Sequence, residues 1–352
     1  MNFIFFQNCI SPHQIPYIRE CANDERVDSV YLIVPRKDYA QRAAMGWDSS
    51  GLLKGTSIIC RVMPRDEEIE TLINDNKDCF CFFSGIRADA DVFRWFKISL
   101  AYDVKRFIIT EPPLTYNKPL WMHYLRFYLQ DYKYVRYIKG VFGFGLDAVD
   151  YYRSISDKWS VFPFQYVTES HQRTSCNRLQ GKMKLLFVGS LSKRKNVCVV
   201  LDALKELDDV EFTIVGDGDE LSHLRDIVLR HRLPVTFLGK RQMAEIPDIM
   251  EQHDILILPS LHDGWGAVVN EAMTLGLYVI TSDRCGAKAL IKNEQAGVVF
   301  KNNDAIDLRI KLQKCIADKA IIRDGLIARL EKCRDIQGPA VAHYFINCLK
   351  NL

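Results

Sequence analysis

Short apolar runs alternate with longer amphipathic segments along this whole chain. Short runs of this kind are typical of buried strands in a parallel sheet, and the segments between them are typical of helices that cover its faces. The predicted strands are Asn2–Phe6, Ser29–Ile33, Ser57–Val62, Cys79–Phe83, Arg106–Thr110, Val141–Phe144, Trp159–Phe162, Lys184–Val188, Glu211–Val215, Val235–Leu238, Ile255–Leu258, Leu277–Thr281 and Val298–Phe300. This alternation predicts an α/β protein with doubly wound parallel sheets.

The length of the chain and one polar interruption predict two domains. A chain of 352 residues exceeds one average domain. Residues 166–182 are polar and interrupt the apolar rhythm. We expect an N-terminal Rossmann-like domain over residues 1–165 and a second one over residues 166–338. Residues 339–352 follow a Gly-Pro break and are predicted to form an amphipathic helix that crosses back to the N-terminal domain.

The composition argues against several classes of protein. A net charge of +3 with 44 acidic residues disfavours a dedicated nucleic-acid binder. No apolar run approaches the roughly 20 residues of a membrane-spanning helix, and the first residues lack the basic region of a signal peptide. The 11 cysteines contain no CxxC pair and lie largely in apolar segments, as thiols in a reducing compartment do. We expect a cytoplasmic protein with at most peripheral membrane contact.

Candidate binding residues lie where predicted strands of the second half lead into helices, since ligands bind there in open parallel sheets. At the first junction, Gly189 and Ser190 are followed by Lys193, Arg194 and Lys195. A helix N terminus is already positive, so three cations in front of it indicate a bound anion such as a phosphate. A solvated basic loop is the alternative.

Two further junctions carry weaker signals. Gly216 lies between a strand and a helix, and Lys240 follows the next strand in a loop that could contact a nucleobase. The pairs Asp217/Asp219 and Asp89/Asp91 form DxD motifs, which can bind a divalent metal. Asp219 is explained more simply as an acidic residue in the first turn of a helix, so we predict no metal site.

The fourth junction, LPSLHDGWGAVVNEAM, combines a strand, an acidic residue, a glycine-rich turn and a helix. Its glycines let the backbone approach a ligand, and the first amides of its helix can bind an anion. The candidate residues of the turn are Asp263, Gly264, Trp265, Gly266, Ala267 and Val268. Glu271 lies one turn further along, where its carboxylate can accept hydrogen bonds from ligand hydroxyls. A capped helix with an exposed glutamate is the alternative.

With these motifs the second half resembles the nucleotide-sugar-binding domain of the retaining GT-B glycosyltransferases of family 4. The resemblance covers about residues 184–300, through FVGSLSKRKN, FTIVGDGDE, VTFLGK, DILILPS and DGWGAVVNEAM. It implies two Rossmann-like domains facing a cleft, and transfer of a sugar from a UDP-, GDP- or similar nucleoside-diphosphate sugar. A saccharide or lipid-linked saccharide would accept the sugar, as in lipopolysaccharide, O-antigen or capsule synthesis.

The resemblance also implies roles for individual residues. Glu271 would bind the ribose of the donor, and Asp263, where most members have Glu, would contact the transferred sugar. Lys195 would neutralise the diphosphate. The family's partner arginine is replaced by Ser190 in this chain, so Arg194 or Lys193 would take its place. The transfer would need no metal, no cofactor and no enzyme nucleophile.

Other functions remain open at this point. A protein with the same fold could hydrolyse or epimerise a nucleotide sugar. An inactive nucleotide-sugar-binding partner and a metal-dependent transferase of GT-A type are further alternatives.

The first half contributes three candidate residues for the acceptor side. Ser11 and His13 lie in a proline-containing loop after the first strand, as in family members of bacterial polysaccharide pathways. Glu111 follows a later strand and is our candidate for a carboxylate that faces acceptor or donor. A helix-capping or loop role is its alternative.

Residues 116–139 combine aromatic and basic side chains. The aromatic residues are Tyr116, Trp121, Tyr124, Phe127, Tyr128, Tyr132, Tyr134 and Tyr137, and the basic ones are Lys118, Arg126, Lys133, Arg136 and Lys139. A helix with this mixture can lie in a membrane interface with anionic headgroups, here the inner face of the inner membrane. The alternative is a helix packed on the first sheet with its tyrosines half-buried.

Overall fold

The protein divides into two compact units, each built around one parallel sheet. The computed structural model describes residues 1–39, 49, 51–116, 118–169, 173 and 181–350. The first unit comprises Met1–Glu169 and Ile336–Leu352, and the second comprises Ser170–Asp335. Most of the polar stretch 166–182 lies outside the described residues, whereas Tyr166 to Glu169 belong to the first unit. The predicted α/β class is confirmed.

The first sheet has seven strands in the order β3-β2-β1-β4-β5-β6-β7. They are β1 (Asn2–Phe6), β2 (Ser29–Val34), β3 (Ile59–Val62), β4 (Phe80–Ser84), β5 (Lys105–Thr110), β6 (Ile138–Phe144) and β7 (Ser160–Phe164). The second sheet has six strands in the order β10-β9-β8-β11-β12-β13. They are β8 (Met183–Val188), β9 (Val210–Val215), β10 (Val235–Gly239), β11 (Ile255–Leu258), β12 (Tyr278–Ser282) and β13 (Gly297–Phe300).

Helices connect the strands of both sheets. They are α1 (Ile15–Asn23), α2 (Asp66–Asp75), α3 (Ala90–Ser99), α4 (Leu120–Gln130), α5 (Gly145–Ile155), α6 (Val197–Leu204), α7 (Leu221–His231), α8 (Ile246–Glu251), α9 (Val268–Thr274), α10 (Ala305–Ala317), α11 (Lys319–Asp324), α12 (Leu326–Lys332) and α13 (Gly338–Leu349). None of these helices is long and apolar enough to cross a bilayer, within the part of the chain that the structure describes.

Helix α13 follows the second unit in the chain but belongs to the first. Its Phe345 is fully buried. The ring centroid of Phe345 lies 4.5–6.1 Å from those of Phe3, Phe5, Tyr17, Phe82, Phe142 and Phe164. These rings come from β1, α1, β4, β6 and β7, so one side chain of α13 fills the apolar face of four strands. Rings at such distances gain stacking and edge-to-face contacts beyond the burial of their area.

In the second unit, glycines let the loops after β8 and β9 run in direct contact. Gly216 has a φ of 140°, and a Cβ there would lie 1.8 Å from the carbonyl oxygen of Gly189. Backbone hydrogen bonds join the same loops, because the amide of Gly189 donates to Val215 and the amide of Leu191 donates to Asp217. The glycines of the first two junctions therefore fix the path of the backbone.

The aromatic-basic segment forms a shorter helix than residues 116–139. Helix α4 ends at Gln130, a 3₁₀ turn follows over Tyr132–Tyr137, and β6 begins at Ile138. Lys139 consequently lies in a strand of the sheet. Because a 3₁₀ turn and a β-strand follow α4, residues 132–139 are not part of the amphipathic helix.

Candidate functional site

The second sheet reverses its strand order between β8 and β11. Strands β9 and β10 extend to one side of β8, and β12 and β13 extend to the other side of β11. In such sheets the connections after the two central strands leave in opposite directions and open a crevice, which is where ligands bind. The loop after β8 carries Lys193, Arg194 and Lys195, and the loop after β11 carries Asp263. The basic loop after β8 and the glycine-rich turn after β11, which carry the strongest predicted binding motifs, therefore lie side by side at the switch point of this sheet.

An ion pair joins these two loops. The Nζ of Lys195 donates a 2.6 Å hydrogen bond to Oδ2 of Asp263. The Nη1 of Arg194 lies 3.6 Å from the same oxygen and donates a 2.8 Å hydrogen bond to the carbonyl of His262. Lys193 is exposed at the start of the same turn. Two cations share one carboxylate, so the cluster carries a net positive charge.

The cations set the protonation of Asp263. Burial alone would raise the pKa of this carboxyl group, but the charge and hydrogen bond of Lys195 and the charge of Arg194 outweigh it, and the pKa lies below its ordinary value. Asp263 is therefore ionised at neutral pH and can exchange its cationic partners with an incoming anion or polar ligand.

The glycine-rich turn after Asp263 is held by packing on both sides. The side chain of Trp265 is 1 % exposed, and its Nε1 donates a 2.6 Å hydrogen bond to Oδ1 of Asn270. Gly266 has a φ of 94°, and a Cβ there would lie 2.5 Å from Cδ2 of Leu258. The side chain of Trp265 thus packs in the core, and Trp265 can contact a ligand only through its backbone. Sequence analysis missed Asn270, although a buried indole N–H usually requires an acceptor.

Backbone contacts also lock the turn against the segment that follows β12. The amide of Gly286 donates to the carbonyl of Asp263, and the amide of Ala287 donates to the carbonyl of Trp265. A Cβ on Gly286 would lie 2.2 Å from the carbonyl oxygen of Gly264. The turn is thus fixed before any ligand arrives.

Glu271 lies in α9, behind this turn. Its carboxylate is partly buried, and burial raises its pKa to about 7. The backbone carbonyl of Glu271 accepts a hydrogen bond from Oγ1 of Thr274, but its carboxylate forms no hydrogen bond or ion pair with any residue that the structure describes. Ala267 and Val268, at the start of the helix, are also partly exposed. A half-buried acceptor without a donor is costly, and hydroxyl groups of a ligand would satisfy it.

The remaining candidates of the second unit lie around this centre. Gly189 and Ser190 are partly exposed directly after β8. Gly216 has its structural reason in the contact with Gly189 described above. Lys240 is exposed after β10, the edge strand, which β9 separates from β8.

In the first unit, Tyr166 connects two of the three predicted residues. Its hydroxyl donates a 2.9 Å hydrogen bond to Oε1 of Glu111, and its ring centroid lies 5.9 Å from that of His13. Ser11 acts locally, because its Oγ accepts the amide of His13 and its carbonyl accepts the amide of Ile15 at the start of α1. Tyr166 lies in the predicted linker, and no local pattern in the sequence marks it.

Three of the four DxD carboxylates have structural partners. Oδ1 of Asp89 accepts the amides of Asp91 and Val92 at the start of α3, and Arg36 lies 2.6 Å from its Oδ2. Arg36 also lies 3.9 Å from Asp91. Asp217 accepts the amide of the following glycine. These contacts account for the first pair without a metal.

Helix α4 presents two different faces. Phe127 is buried, and Tyr124 packs against the core of the first sheet. The outer side exposes large apolar residues, which we name the α4 face: Leu120, Trp121, Met122, Leu125, Tyr128 and Leu129. Trp121 is 62 % exposed and Leu129 is 76 % exposed. Part of the segment is thus packed on the domain, and part exposes several large apolar side chains of the kind that mark interaction sites.

Comparison with known proteins finds similarity concentrated in the second unit. Residues 170–332 match the family model for glycosyl transferases group 1. The chain is 33 % identical over 172 residues to a UDP-Gal:alpha-D-GlcNAc-diphosphoundecaprenol alpha-1,3-galactosyltransferase of Escherichia coli, covering 42 % of this chain and 43 % of the relative. It is 28 % identical over 159 residues to a GalNAc-alpha-(1->4)-GalNAc-alpha-(1->3)-diNAcBac-PP-undecaprenol alpha-1,4-N-acetyl-D-galactosaminyltransferase of Campylobacter jejuni, covering 44 % of each. The chain spans about two fifths of the length of the curated relatives it matches.

A solved structure identifies the fold of both units. HepE of Anabaena, crystallised in complex with UDP, is similar with a TM-score of 0.73 and 15 % identity over 100 % of each chain. At this identity the likeness establishes the fold alone. The chain has the GT-B fold, with seven strands in one sheet and six in the other, as the resemblance implied.

Proposed function

We propose that this protein is a retaining glycosyltransferase, which moves a sugar from a nucleoside-diphosphate sugar to a saccharide or lipid-linked saccharide. The observation that carries the proposal is the site at the switch point of the second sheet. There, Lys195 and Arg194 share one carboxylate next to the unpartnered Glu271, within a glycosyl transferases group 1 domain. Such a site offers positive charge to a diphosphate and a carboxylate to sugar hydroxyls.

The donor would bind by exchange of ionic partners. Its diphosphate takes Lys195 and Arg194 away from Asp263, and the backbone from Gly266 to Val268 contributes amides. Glu271 then accepts hydrogen bonds from the ribose hydroxyls, and Asp263 turns to the transferred sugar. Gly189 and Ser190 leave room at the end of β8, where a larger side chain would meet the phosphates.

The transfer itself would need positioning and charge stabilisation. The acceptor hydroxyl attacks the anomeric carbon on the face from which the diphosphate leaves. As the bond between this carbon and the phosphate oxygen breaks, the leaving oxygen takes the proton of the acceptor hydroxyl. Lys195 and Arg194 stabilise the charge that develops on this oxygen, without a divalent metal or an enzyme nucleophile.

The acceptor would be recognised by the first unit. His13 and Glu111 flank Tyr166 at the carboxyl ends of β1 and β5, where polar groups can bind saccharide hydroxyls. The named relatives act on undecaprenol-diphosphate-linked sugars. We place this chain in the same chemical class, in the synthesis of a surface polysaccharide such as lipopolysaccharide, at the cytoplasmic face of the inner membrane.

The α4 face would hold the enzyme at that membrane. Its exposed Trp121 and Leu129 can enter the lipid interface, and exposed Arg126, Lys133 and Arg136 can contact anionic headgroups. Co-sedimentation with phosphatidylglycerol vesicles should fall at least severalfold when Trp121 and Leu129 are both replaced by serine. Equal binding of both proteins would contradict this assignment, and loss of a dimer in light scattering would assign the face to a second copy instead.

The donor site is tested by a thermal-shift panel of UDP-, GDP-, ADP- and dTDP-sugars. Because a ligand that binds only the native state raises its melting temperature, one base should stand out. Lys195→Met and Glu271→Gln should lose this shift, whereas the control Lys314→Met, at an exposed ion pair of the same unit, should keep it. The proposal fails if no nucleotide sugar stabilises the protein, or if all three variants behave alike.

Mass spectrometry of the products then identifies the reaction. A sugar joined to an added acceptor, with α linkage from an α donor, supports retaining transfer. Free sugar or an epimerised donor formed without acceptor would assign a hydrolase or epimerase instead, and binding without any product would indicate an inactive partner.

A further inference from the structure

Outside the donor site, three metal-ligating side chains converge at one place in the second unit. They are Cys198 of α6, His223 of α7, and Glu220, which directly precedes α7. One potential ligand atom of each, a thiol sulfur, an imidazole nitrogen and a carboxylate oxygen, lies within 4.8 Å of the other two. No other group of three or more such side chains lies so close together among the described residues.

The local structure explains why these side chains face one another. Glu220 and His223 are three residues apart, so they lie on the same side of the first turn of α7. Cys198 lies in the first turn of the neighbouring α6. Glu220 stands at the N-cap position, but its side chain makes no capping hydrogen bond.

None of the three side chains forms an ion pair with a cationic residue in the described ranges. Cys198 and Glu220 are partly exposed and His223 is exposed, so an ion can reach all three from solvent. Seven of the ten described cysteines are buried, which makes the accessibility of Cys198 unusual within this chain. The group thus has free ligand capacity and an entry path.

We propose that Cys198, Glu220 and His223 bind one divalent ion of the zinc class, with water completing a tetrahedral site. A thiolate, an imidazole and a carboxylate are the ligands that zinc uses, whereas magnesium and calcium prefer oxygen alone. Bond lengths of about 2.0–2.3 Å bring bound ligand atoms to roughly 3.5 Å from one another, a contraction that rotation of the exposed His223 side chain can supply. Binding releases the thiol proton of Cys198 to solvent.

The position of the site relates it to the loops of the donor site. Helix α6 begins two residues after Lys195, and Glu220 follows the glycine loop that packs against the loop after β8. A metal bridging α6 and α7 therefore fastens the loop that carries Lys195 to the loop after β9. This inference stands apart from the proposed function, because metal binding is measured here without nucleotide or acceptor.

Cobalt(II) is the probe for the site, since it occupies zinc sites and its bond to thiolate gives a near-ultraviolet charge-transfer band. The metal-free full chain should develop this band with one equivalent of cobalt and lose it when zinc is added. Cys198→Ser should abolish the band, and His223→Ala should weaken metal affinity at least tenfold. Cys60→Ser and His231→Ala are matched controls, at a partly exposed thiol and on the exposed surface at the end of α7, and should leave the titration unchanged.

Melting temperature gives a second measurement. Zinc in hundredfold excess over its dissociation constant should raise the melting temperature of the wild-type protein by roughly 5 °C, and should not raise that of Cys198→Ser. The inference is overturned if cobalt gives no thiolate band, or if the band and the zinc stoichiometry survive both Cys198→Ser and His223→Ala. A protein without transferase activity that still binds zinc in this way would leave the inference intact and refute only the proposed function.

Discussion

Two carboxylates of the same turn-helix segment have opposite electrostatic environments. The pKa of Asp263 is lowered because Lys195 and Arg194 outweigh its burial, whereas burial alone raises the pKa of Glu271 to about 7. The difference arises because the cations reach the turn but not the helix. One carboxylate is therefore permanently charged near neutral pH, and the other changes its charge there.

We expect Glu271→Gln to remove a pH dependence of stability. A carboxyl group whose pKa is higher in the native state than in the unfolded chain binds more protons when folded, so the free energy of unfolding falls as the pH rises from about 4.5 to about 7. The full shift corresponds to at most about 3 kcal/mol. Urea unfolding of both proteins at pH 5 and pH 8, without nucleotide, measures it. A wild-type to variant difference that is equal at both pH values would contradict the expectation.

Nucleotide affinity should depend on the same titration. If the ribose hydroxyls donate to an ionised Glu271, the affinity for a nucleoside diphosphate rises as the pH increases through about 7. The ratio of wild-type to Glu271→Gln affinity is the quantity to measure by calorimetry, because titration of the ligand's own phosphates cancels in it. A ratio that stays constant from pH 5.5 to pH 8 would show that the Glu271 carboxylate does not bind the ribose.

Replacing Lys195 by methionine should destabilise the second unit by about 2–3 kcal/mol, since it leaves Asp263 as a buried charge with only the more distant Arg194. The double variant with Asp263→Asn should recover most of this loss of stability but none of the proposed transferase activity. A double-mutant cycle in urea checks the coupling, which should shrink at low pH as Asp263 becomes protonated. Strictly additive losses would show that the pair contributes nothing to stability.

At the scale of secondary-structure elements, the sequence predicted what depends on local patterns. Strands β1 and β11 have the predicted bounds, because each contains a run of four apolar residues that is followed by Gln7 in β1 and by Pro259 and Ser260 in β11. The end of the aromatic segment was predicted poorly, because Lys139 alternates with buried residues in β6 only once the strand is in the sheet. Helical and strand periodicity are hard to separate over so short a stretch.

The same reasoning explains which site residues could be predicted. The loops after β8 and β11 meet because the carboxyl ends of adjacent parallel strands share one edge. The strand pattern places Lys195 and Asp263 at such ends, whereas the adjacency of β8 and β11 is visible only in the structure. The contact of Tyr166 with Glu111 depends on how β7 ends and on packing between distant segments. The cluster of Cys198 with His223 depends on the packing of α6 against α7, which no spacing in the sequence indicates.

The direct contact between the loops after β8 and β9 leads to a prediction about these two elements. A Cβ at Gly216 would overlap the carbonyl of Gly189, so Gly216→Ala should lower stability by about 3 kcal/mol or more and reduce nucleotide affinity with it. Gly51→Ala is the control, because a Cβ at Gly51 would meet no described heavy atom within 4 Å. Equal melting temperatures for the two variants would show that the loops can separate at little cost.

At the scale of the whole molecule, the chain leaves the first unit at Glu169 and returns to it at Ile336. Helix α13 then supplies Phe345 to the aromatic core of a sheet whose strands all lie before residue 165. Phe345→Ala should cost about 3–5 kcal/mol, and the change should appear in unfolding of the first unit. Tyr344→Ala, at an exposed neighbour on the same helix, should cost less than about 1 kcal/mol in the same denaturant titration. Comparable losses would contradict the packing role of α13.

The return of α13 has a consequence for synthesis of the protein on the ribosome. The second unit is continuous in sequence and can fold as soon as its own residues have emerged. The first unit is translated earlier, yet the face of its sheet that receives Phe345 stays uncovered until the segment after residue 335 has been made. During that interval the nascent chain exposes aromatic surface that other nascent chains or chaperones can bind. The unit that is translated first is therefore the one that matures last.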